Sequence, residues 1–338
     1  MNKKAVERIH NVRPNDSDTE VTLKEMGDTY EIRYSSRNTG GNVRLVGNGL
    51  YVYSDGEGGY LKDAHGEVIV KEMNRSATTR ADNLTTVARS MRELREIIKC
   101  NVTDKTRDKC LWVTVTYREN MKNPKKLYRD TEKYMKRLRY YLAQYGFYQI
   151  EYIISVEAQG RGSLHGHLII IIKDCDTAPF IPNDIMAKIW GHGFTKTKSL
   201  KGIKDPSLYL TAYLSDLDYT KAARLGIAQG DIKEVSVTDD DGNIILEDDG
   251  QPLSKAIVKG ARLKLLPKHL KIFRTSRGIV RPLVIRTTEG EAMATVGDAE
   301  LTYERTIRIS EDDFVCNVIN YRTFKKNDKP KPRPPPKR

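Results

Sequence analysis

Long apolar runs are missing from this sequence. Nothing in it approaches the ~18 consecutive apolar residues that cross a bilayer, so no membrane-spanning helix is expected. A phosphate-cradling loop of the GxxxxGK[ST] kind is also missing. Gly56-Glu-Gly-Gly59 comes nearest, and it lacks the Lys-Ser/Thr pair and the following helix that such a loop needs. That excludes a nucleotide-driven motor in this chain. Cysteine is scarce, and Cys100, Cys110, Cys175 and Cys316 form no CxxC pair. A zinc knuckle and a dithiol redox motif are thereby excluded, and buried free thiols in a reducing compartment are expected. The charged start at residues 1–8 is followed by no apolar segment of the signal-peptide kind, so a cytoplasmic protein is expected.

What the chain has in quantity is positive charge. Its 338 residues include 58 Lys and Arg against 45 Asp and Glu, a net charge of +13. Such a balance favours a polyanionic partner, nucleic acid above all. The length allows one large or two modest domains with a real core. Residues 1–75 read as a small β-rich module, because short β-prone runs alternate with Gly-Gly, Asn-Gly and Asp-Gly turn pairs. Residues 76–290 carry the long periodic segments and form the main domain. An acidic hairpin insertion at 232–254 contains Asp239-Asp-Asp-Gly-Asn243 and Glu247-Asp-Asp-Gly250. Residues 291–324 follow as a C-terminal extension. Residues 325–338 are a Pro/Lys tail that cannot bury a core and is expected to be disordered or extended.

Within the main domain the periodicities are clear. Leu84, Val87, Met91, Leu94 and Ile98 make one helical stripe over 82–99. Residues 111–117 read as a central strand, with Trp112, Thr114 and Thr116 on one face. An amphipathic helix is predicted over 125–145 after Pro124, and a short one from Pro182 to Trp190. His192, in a Gly-flanked turn, is read as structural. Between these helices, Tyr152 to Ile172 reads as two β-branched runs joined by a Gly-rich turn, a hairpin. Alternation along a strand puts His165 and His167 on one face, and Glu157 should lie across the ladder from them. A single His is far more often a packing residue than a ligand. Two that alternate opposite an acid supply half of a divalent-metal site.

A second cluster starts at Asp205-Pro206, an N-cap followed by Pro at the first helical position. A helix from there puts Leu210, Leu214 and Leu217 on the buried side and Tyr209, Tyr213 and Asp216 on the adjacent stripe. Paired tyrosines at that spacing usually pack. Beside a cation they have another use: a phenolate can attack phosphorus and keep a broken DNA strand attached. Downstream, Lys259, Arg262, Lys264, Lys268, Lys271, Arg274, Arg277 and Arg281 form a basic stretch suited to phosphate contact.

These blocks, in this order, resemble the HUH endonucleases, specifically the rolling-circle replication initiators of plasmids and phages related to filamentous-phage nicking proteins. The likeness covers roughly residues 75 to 282. It rests on Leu111-Trp-Val-Thr-Val-Thr-Tyr117, on Val156-Glu157-Ala-Gln-Gly-Arg161-Gly162-Ser-Leu-His165-Gly-His167, on Tyr209-Leu-Thr-Ala-Tyr213, and on Arg262-Leu-Lys-Leu-Leu-Pro267 with Ser276-Arg-Gly-Ile-Val-Arg-Pro282. The resemblance implies an α+β fold, a central antiparallel sheet of about five strands flanked by helices. It implies Mg2+ or Mn2+ held by His165, His167 and Glu157. It also implies a 5′-phosphotyrosine at Tyr209 or Tyr213 and a free 3′-OH primer. Arg161, Lys259, Arg262, Lys264 and Arg277 are the candidate DNA contacts. The implied partners are single-stranded origin DNA and a host helicase, in a bacterial cytoplasm. Two positions depart from the family pattern. Gly166 stands where a bulky hydrophobe is usual, which leaves room on the far face of the strand. Ala212 and Asp216 stand three residues after each Tyr, where the family often has Lys; Asp216 is therefore expected to reach the metal, a hydrogen-bond network or a proton relay. The rival readings are a relaxase- or transposase-like nuclease of the same superfamily, and a non-catalytic origin-binding protein.

Overall fold

The computed structural model describes residues 5–14, 16–36, 43–47, 50–53, 60, 62, 65–72, 78–201, 203, 205–212, 214, 216–227, 232–237, 244–247, 249–311 and 314–327. The chain divides into two compact units, one of residues 76–281 and one of residues 1–75 with 282–338. The chain is built of antiparallel sheets and a few helices, an α+β architecture.

The first unit is organised around a five-stranded antiparallel sheet. Its order is Thr195–Ser199, Cys110–Val115, Leu164–Ile172, Ile150–Ala158 and Phe273–Thr275, which puts the His-bearing strand in the middle. Leu168 to Ile172 are all buried, as the unbroken β-branched run requires of a strand covered on both faces. The helix Leu84–Asn101 starts where the Asn83 side chain accepts from Thr86 N–H, and it buries Val87, Met91, Leu94 and Ile98 in the same core. The helix Pro124–Ala143 starts in the same way: the Asn123 side chain accepts from Lys126 N–H, and Pro124 opens the first turn. Cys110 is buried and Cys100 and Cys175 are half-buried, all three unbridged, as read from the spacing. His192 rests edge-on against Trp190, with ring centroids 5.1 Å apart, in its expected structural role.

Gly166 corrects one expectation. The far face of the strand holds no spare room: a Cβ at Gly166 would lie 2.9 Å from Val115 Cγ2 and 3.1 Å from Ile154 Cδ1. The neighbours have grown into the space a side chain would take. Gly166→Leu should therefore overpack the sheet and lower stability by about 1–3 kcal/mol, read as a fall in the urea midpoint.

The helix predicted from Pro206 is also shorter than its apolar stripe suggests. It runs Pro206–Ala212, and Leu217–Asp218 is already a strand paired with Val258 and Ile257. Pairing with Ser254–Val258 draws the chain out of the helix before a third turn can form. That strand also pairs with Ile232–Ser236, so the acidic insertion is a hairpin, with Gly250 at φ 81° in its described turn. Its first acidic cluster, residues 239–243, lies outside the described residues.

The second unit corrects the domain order. Its six-stranded antiparallel sheet runs Ala5–Ile9, Glu300–Glu311, Phe314–Lys325, Thr29–Ser35, Glu20–Met26, Leu283–Thr288. The N-terminal module and the C-terminal extension are thus one sheet, not two segments. The boundary falls after Arg281 rather than at 290, because Leu283–Thr288 pairs with Glu20–Met26. Val21, Leu23 and Ile32 share a small core with Ala292, Val296 and Phe324. Each strand alone has only one face to bury, and the partner that covers it is distant in sequence. Val43–Gly47, Leu50–Tyr53 and Val70–Glu72 form a separate three-stranded sheet. Of the Pro/Lys tail, residues 328–338 lie outside the described residues.

Candidate metal centre

The two central strands are joined by a turn that glycine makes possible. Gln159 N–H donates to Ser163 O at 2.8 Å, Gly162 N–H to Gln159 O at 2.7 Å, and Gly162 has φ 79°. This fixes the register, with Glu157 directly opposite His165 and His167 opposite Ser155. On its other edge His167 faces Thr114 of the Trp112 strand. Three neighbouring strands therefore present Glu157, His165, His167 and Thr114 to one place.

The contacts follow from that register. His167 Nε2 lies 2.6 Å from Glu157 Oε2, and His167 Nδ1 lies 3.1 Å from Thr114 Oγ1. Arg262 donates to the other Glu157 oxygen and, at 2.9 Å, to Ala158 O. The Glu157 carboxyl is buried, which by itself raises its pKa. The His167 hydrogen bond and the charge of Arg262 outweigh burial and hold it below the usual carboxylate range. Burial pushes His165 down to about 4, the nearby Glu157 notwithstanding. His165 is thus a neutral imidazole at neutral pH, and its buried Nε2 has no hydrogen-bond partner. An orphaned buried nitrogen beside a second imidazole and a carboxylate is a donor set that suits a divalent cation. Among the described residues no three His, Cys, Asp or Glu side chains already converge on a cation-sized point. The reason is local: Glu157 is engaged by His167 and Arg262. For His165, His167 and Glu157 to hold a cation, His167 Nε2 would have to give up its hydrogen bond to Glu157.

These groups line an open cleft of about 710 Å3, together with Arg118, Arg161, Lys221 and the exposed ring of Phe194. Of these four, only Arg161 was singled out in the sequence. Phe194 is held by its backbone, because Thr116 N–H donates to its carbonyl at 3.0 Å. The preceding Gly193 is required there, since a Cβ would fall 2.2 Å from Thr116 O. Tyr117 also lines the cleft, but it does not suit a nucleophile. Its hydroxyl donates to Asp130 at 2.9 Å, and burial with that carboxylate raises its pKa far above the ordinary phenol range.

The Tyr-bearing helix is fixed at its start by Asp205, whose side chain accepts from Ser207 and Leu208 N–H at 2.9 and 3.1 Å. It packs through the buried residues Ser207 and Thr211, and Arg95 Nε donates to Thr211 Oγ1 at 3.0 Å. Tyr209 lies on this helix, with its side chain outside the described residues, and Tyr213 lies outside them altogether. Asp216 falls beyond the helix rather than on its Tyr stripe. Its carboxylate accepts from Lys259 Nζ at 2.6 Å and from Gly260 N–H at 3.0 Å. Its carbonyl accepts from Arg262 Nε at 2.5 Å. Arg262 thus ties the segment that follows the Tyr helix to Glu157. Lys259 and Arg262, read in the sequence as DNA contacts, are both held by carboxylates. Lys264 is half-buried in the turn Ala261–Leu265, and Arg277 is exposed in the turn after Phe273–Thr275.

Residues 110–218 match the model of a family of replication-associated proteins, of the ORF2 and gene-two-protein kind. The matched span begins at the Trp112 strand, includes the whole His hairpin and the Tyr helix, and ends at Asp218. The resemblance drawn from motif order is borne out to that extent: this segment is similar to replication-associated proteins. No curated protein sequence and no solved structure matches the chain significantly. Among the described residues no helix is long and apolar enough to cross a membrane.

Thr114 was passed over in the sequence as one of three residues on a strand face. Its pairing opposite His167 lets it hold the imidazole from the Nδ1 side, as Glu157 does from the other. Thr114→Val should weaken any Mn2+ binding at this cluster about 10–100-fold in calorimetric titration, with little change in thermal stability.

Proposed function

We propose that this protein is a rolling-circle replication initiator of the HUH type, which nicks and rejoins single-stranded DNA through a tyrosine. The reading is supported above all by the buried, partnerless Nε2 of His165 beside the Glu157–His167 pair, on the central strands of a five-stranded antiparallel sheet. His165, His167 and Glu157 would hold Mg2+ or Mn2+, and the cation when bound polarises the scissile phosphate and offsets its developing charge. The chain's own residues do the rest. The phenolate oxygen of Tyr209 or Tyr213 attacks phosphorus, and the bond from phosphorus to the 3′ oxygen breaks. The phenolic proton goes to solvent, and the departing oxygen takes up a proton to become the 3′-OH primer. The second Tyr permits a second transfer that rejoins a strand. Arg262 positions the Tyr segment against Glu157, and Asp216 anchors that segment through Lys259 and Gly260. Arg118, Arg161 and Lys221 neutralise backbone phosphates along the cleft, and Phe194 offers a face for a base to stack on. Origin DNA must be single-stranded to enter, which calls for a host helicase in the bacterial cytoplasm.

Two observations favour a second reading, a non-catalytic origin-binding protein. Glu157 is already engaged by His167 and Arg262, and no Lys follows either Tyr at the third position. The deciding experiment incubates the protein with a single-stranded oligonucleotide pool and Mn2+ and looks for a covalent adduct by mass. An adduct on a Tyr of the 209–213 segment supports the initiator. Tight binding with neither adduct nor cleavage assigns the origin-binding role.

A further inference from the structure

A second open cleft, of about 720 Å3, lies in the same compact unit and shares no residue with the first. It lies between the start of the helix Leu84–Asn101 and the edge strand Phe273–Thr275. Its wall is set by Arg80. The backbone there is clamped, with Arg80 N–H donating to Leu266 O at 2.9 Å and Lys268 N–H to Thr78 O at 3.2 Å. The Arg80 side chain is only 8% exposed. One of its terminal nitrogens donates to Lys268 O at 3.2 Å, and its Nε has no partner. Among the described residues no carboxylate pairs with it. Burial accordingly lowers its pKa, with no acid to offset the effect. A guanidinium buried against a cleft without a counter-ion is held at a cost, which an anion in the cleft would relieve.

The rest of the lining has the same sign. Lys271, Arg274 and Arg281 face the cleft, and its one acid, Glu93, is paired with Arg281 at 2.9 Å. Arg274 is pre-positioned, its guanidinium 3.5 Å from the centroid of the Tyr128 ring. The Tyr128 hydroxyl in turn donates to Lys271 O, which braces the chain just before the strand that carries Arg274. Thr86 and Ser90 add hydroxyl donors.

We propose that this cleft is a second nucleic-acid site, which holds the phosphate backbone of DNA away from the His pair, with Arg80 as its buried anchor. The inference rests on the DNA reading of the protein for the identity of the polyanion. The cleft is far larger than one phosphate group, and several cations border it, which suits a run of backbone rather than a single small anion. The cations would place the strand without reading its bases.

The test uses the full chain with EDTA present, so that binding is measured without cleavage. Anisotropy of a fluorescein-labelled single-stranded DNA is followed against salt for the parent, for Arg80→Gln, and for the surface double variant Lys271→Gln/Arg281→Gln. The double variant should lose about 10-fold in affinity at low salt, and its plot of log affinity against log salt should flatten by about one unit per lost contact. Arg80→Gln should weaken binding similarly while its melting temperature holds or rises, because a buried uncompensated charge is gone. Unchanged affinity and slope in the double variant, with an unchanged melting temperature, overturn the proposal. So does stabilisation of the parent by inorganic phosphate that both variants lose while their DNA binding stays intact, since that assigns the cleft to a small anion. Cleavage of a short oligonucleotide with Mn2+ is the separating control: if the parent never cleaves, the reading of the first cleft fails, and the salt-slope result still decides the second.

Discussion

With Tyr209 and Tyr213 both replaced by phenylalanine, no covalent protein–DNA adduct should form, and strand cleavage should fall on the order of 10^4-fold, the scale of losing a covalent nucleophile. The single variants should separate the roles. Whichever Tyr cuts first should abolish cleavage alone, and the other should leave cleavage intact and remove rejoining. Tyr117→Phe is the control, since Tyr117 shares the cleft with the His pair. Its hydroxyl is committed to Asp130, and its acidity is pushed far out of reach, so adduct formation should survive its loss. Single-stranded DNA affinity measured in EDTA should hold in every one of these variants, because phenylalanine keeps the ring. Adduct on the Phe/Phe protein, or its disappearance with Tyr117→Phe, would sink the assignment of the nucleophile.

Loss of His165 or His167 should be comparably severe. His165→Ala or His167→Ala is expected to reduce cleavage by about 10^3-fold or more and to abolish Mn2+ binding in calorimetry, and EDTA should silence the parent to the same level. The reasoning is geometric. The strand register brings Glu157, the two imidazoles and Thr114 together, and among the described residues no other carboxylate or imidazole lines that cleft to replace one of them. His165 stays neutral until the pH falls to about 4. Its protonation therefore should not compete with metal across the neutral range, and a loss of Mn2+ binding attributable to His165 should set in only as the pH falls toward that value. Histidine variants are cleaner probes than Glu157→Gln, which would also leave the mostly buried Arg262 without its carboxylate and destabilise the protein by about 3–5 kcal/mol. Full Mn2+ affinity in His165→Ala would remove the metal centre from the argument.

The hairpin was legible because its signal is local. Period-two alternation, a Gly-rich turn and β-branched runs fixed the face on which Glu157, His165 and His167 would meet. The two long helices were legible for the same reason: their apolar stripes recur at helical spacing, and Pro124 marks the start of the second. The Tyr helix shows where that reasoning stops. Its apolar stripe continues to Leu217, but the chain leaves the helix because Val258 offers a strand partner and Lys259, Gly260 and Arg262 capture Asp216. Those partners lie far downstream, and no periodicity in the helix announces them. Gly166 misled in a related way, since the side chains that fill its far face belong to Val115 and Ile154 on two other strands.

From the chain of letters alone came the Glu157, His165 and His167 trio, the strand order of its hairpin, the helix that carries Tyr209, and a charge that calls for a polyanion. These depend on short-range stereochemistry and on composition. Tertiary structure decided what long-range pairing controls. It placed Thr114 behind His167, tied Asp216 to Glu157 through Arg262, buried Arg80 beside a second cleft with no carboxylate on it among the described residues, and merged the two ends of the chain into one sheet. In each case the deciding partner is distant in sequence, and only burial of a shared face or satisfaction of a buried charge brings the two together.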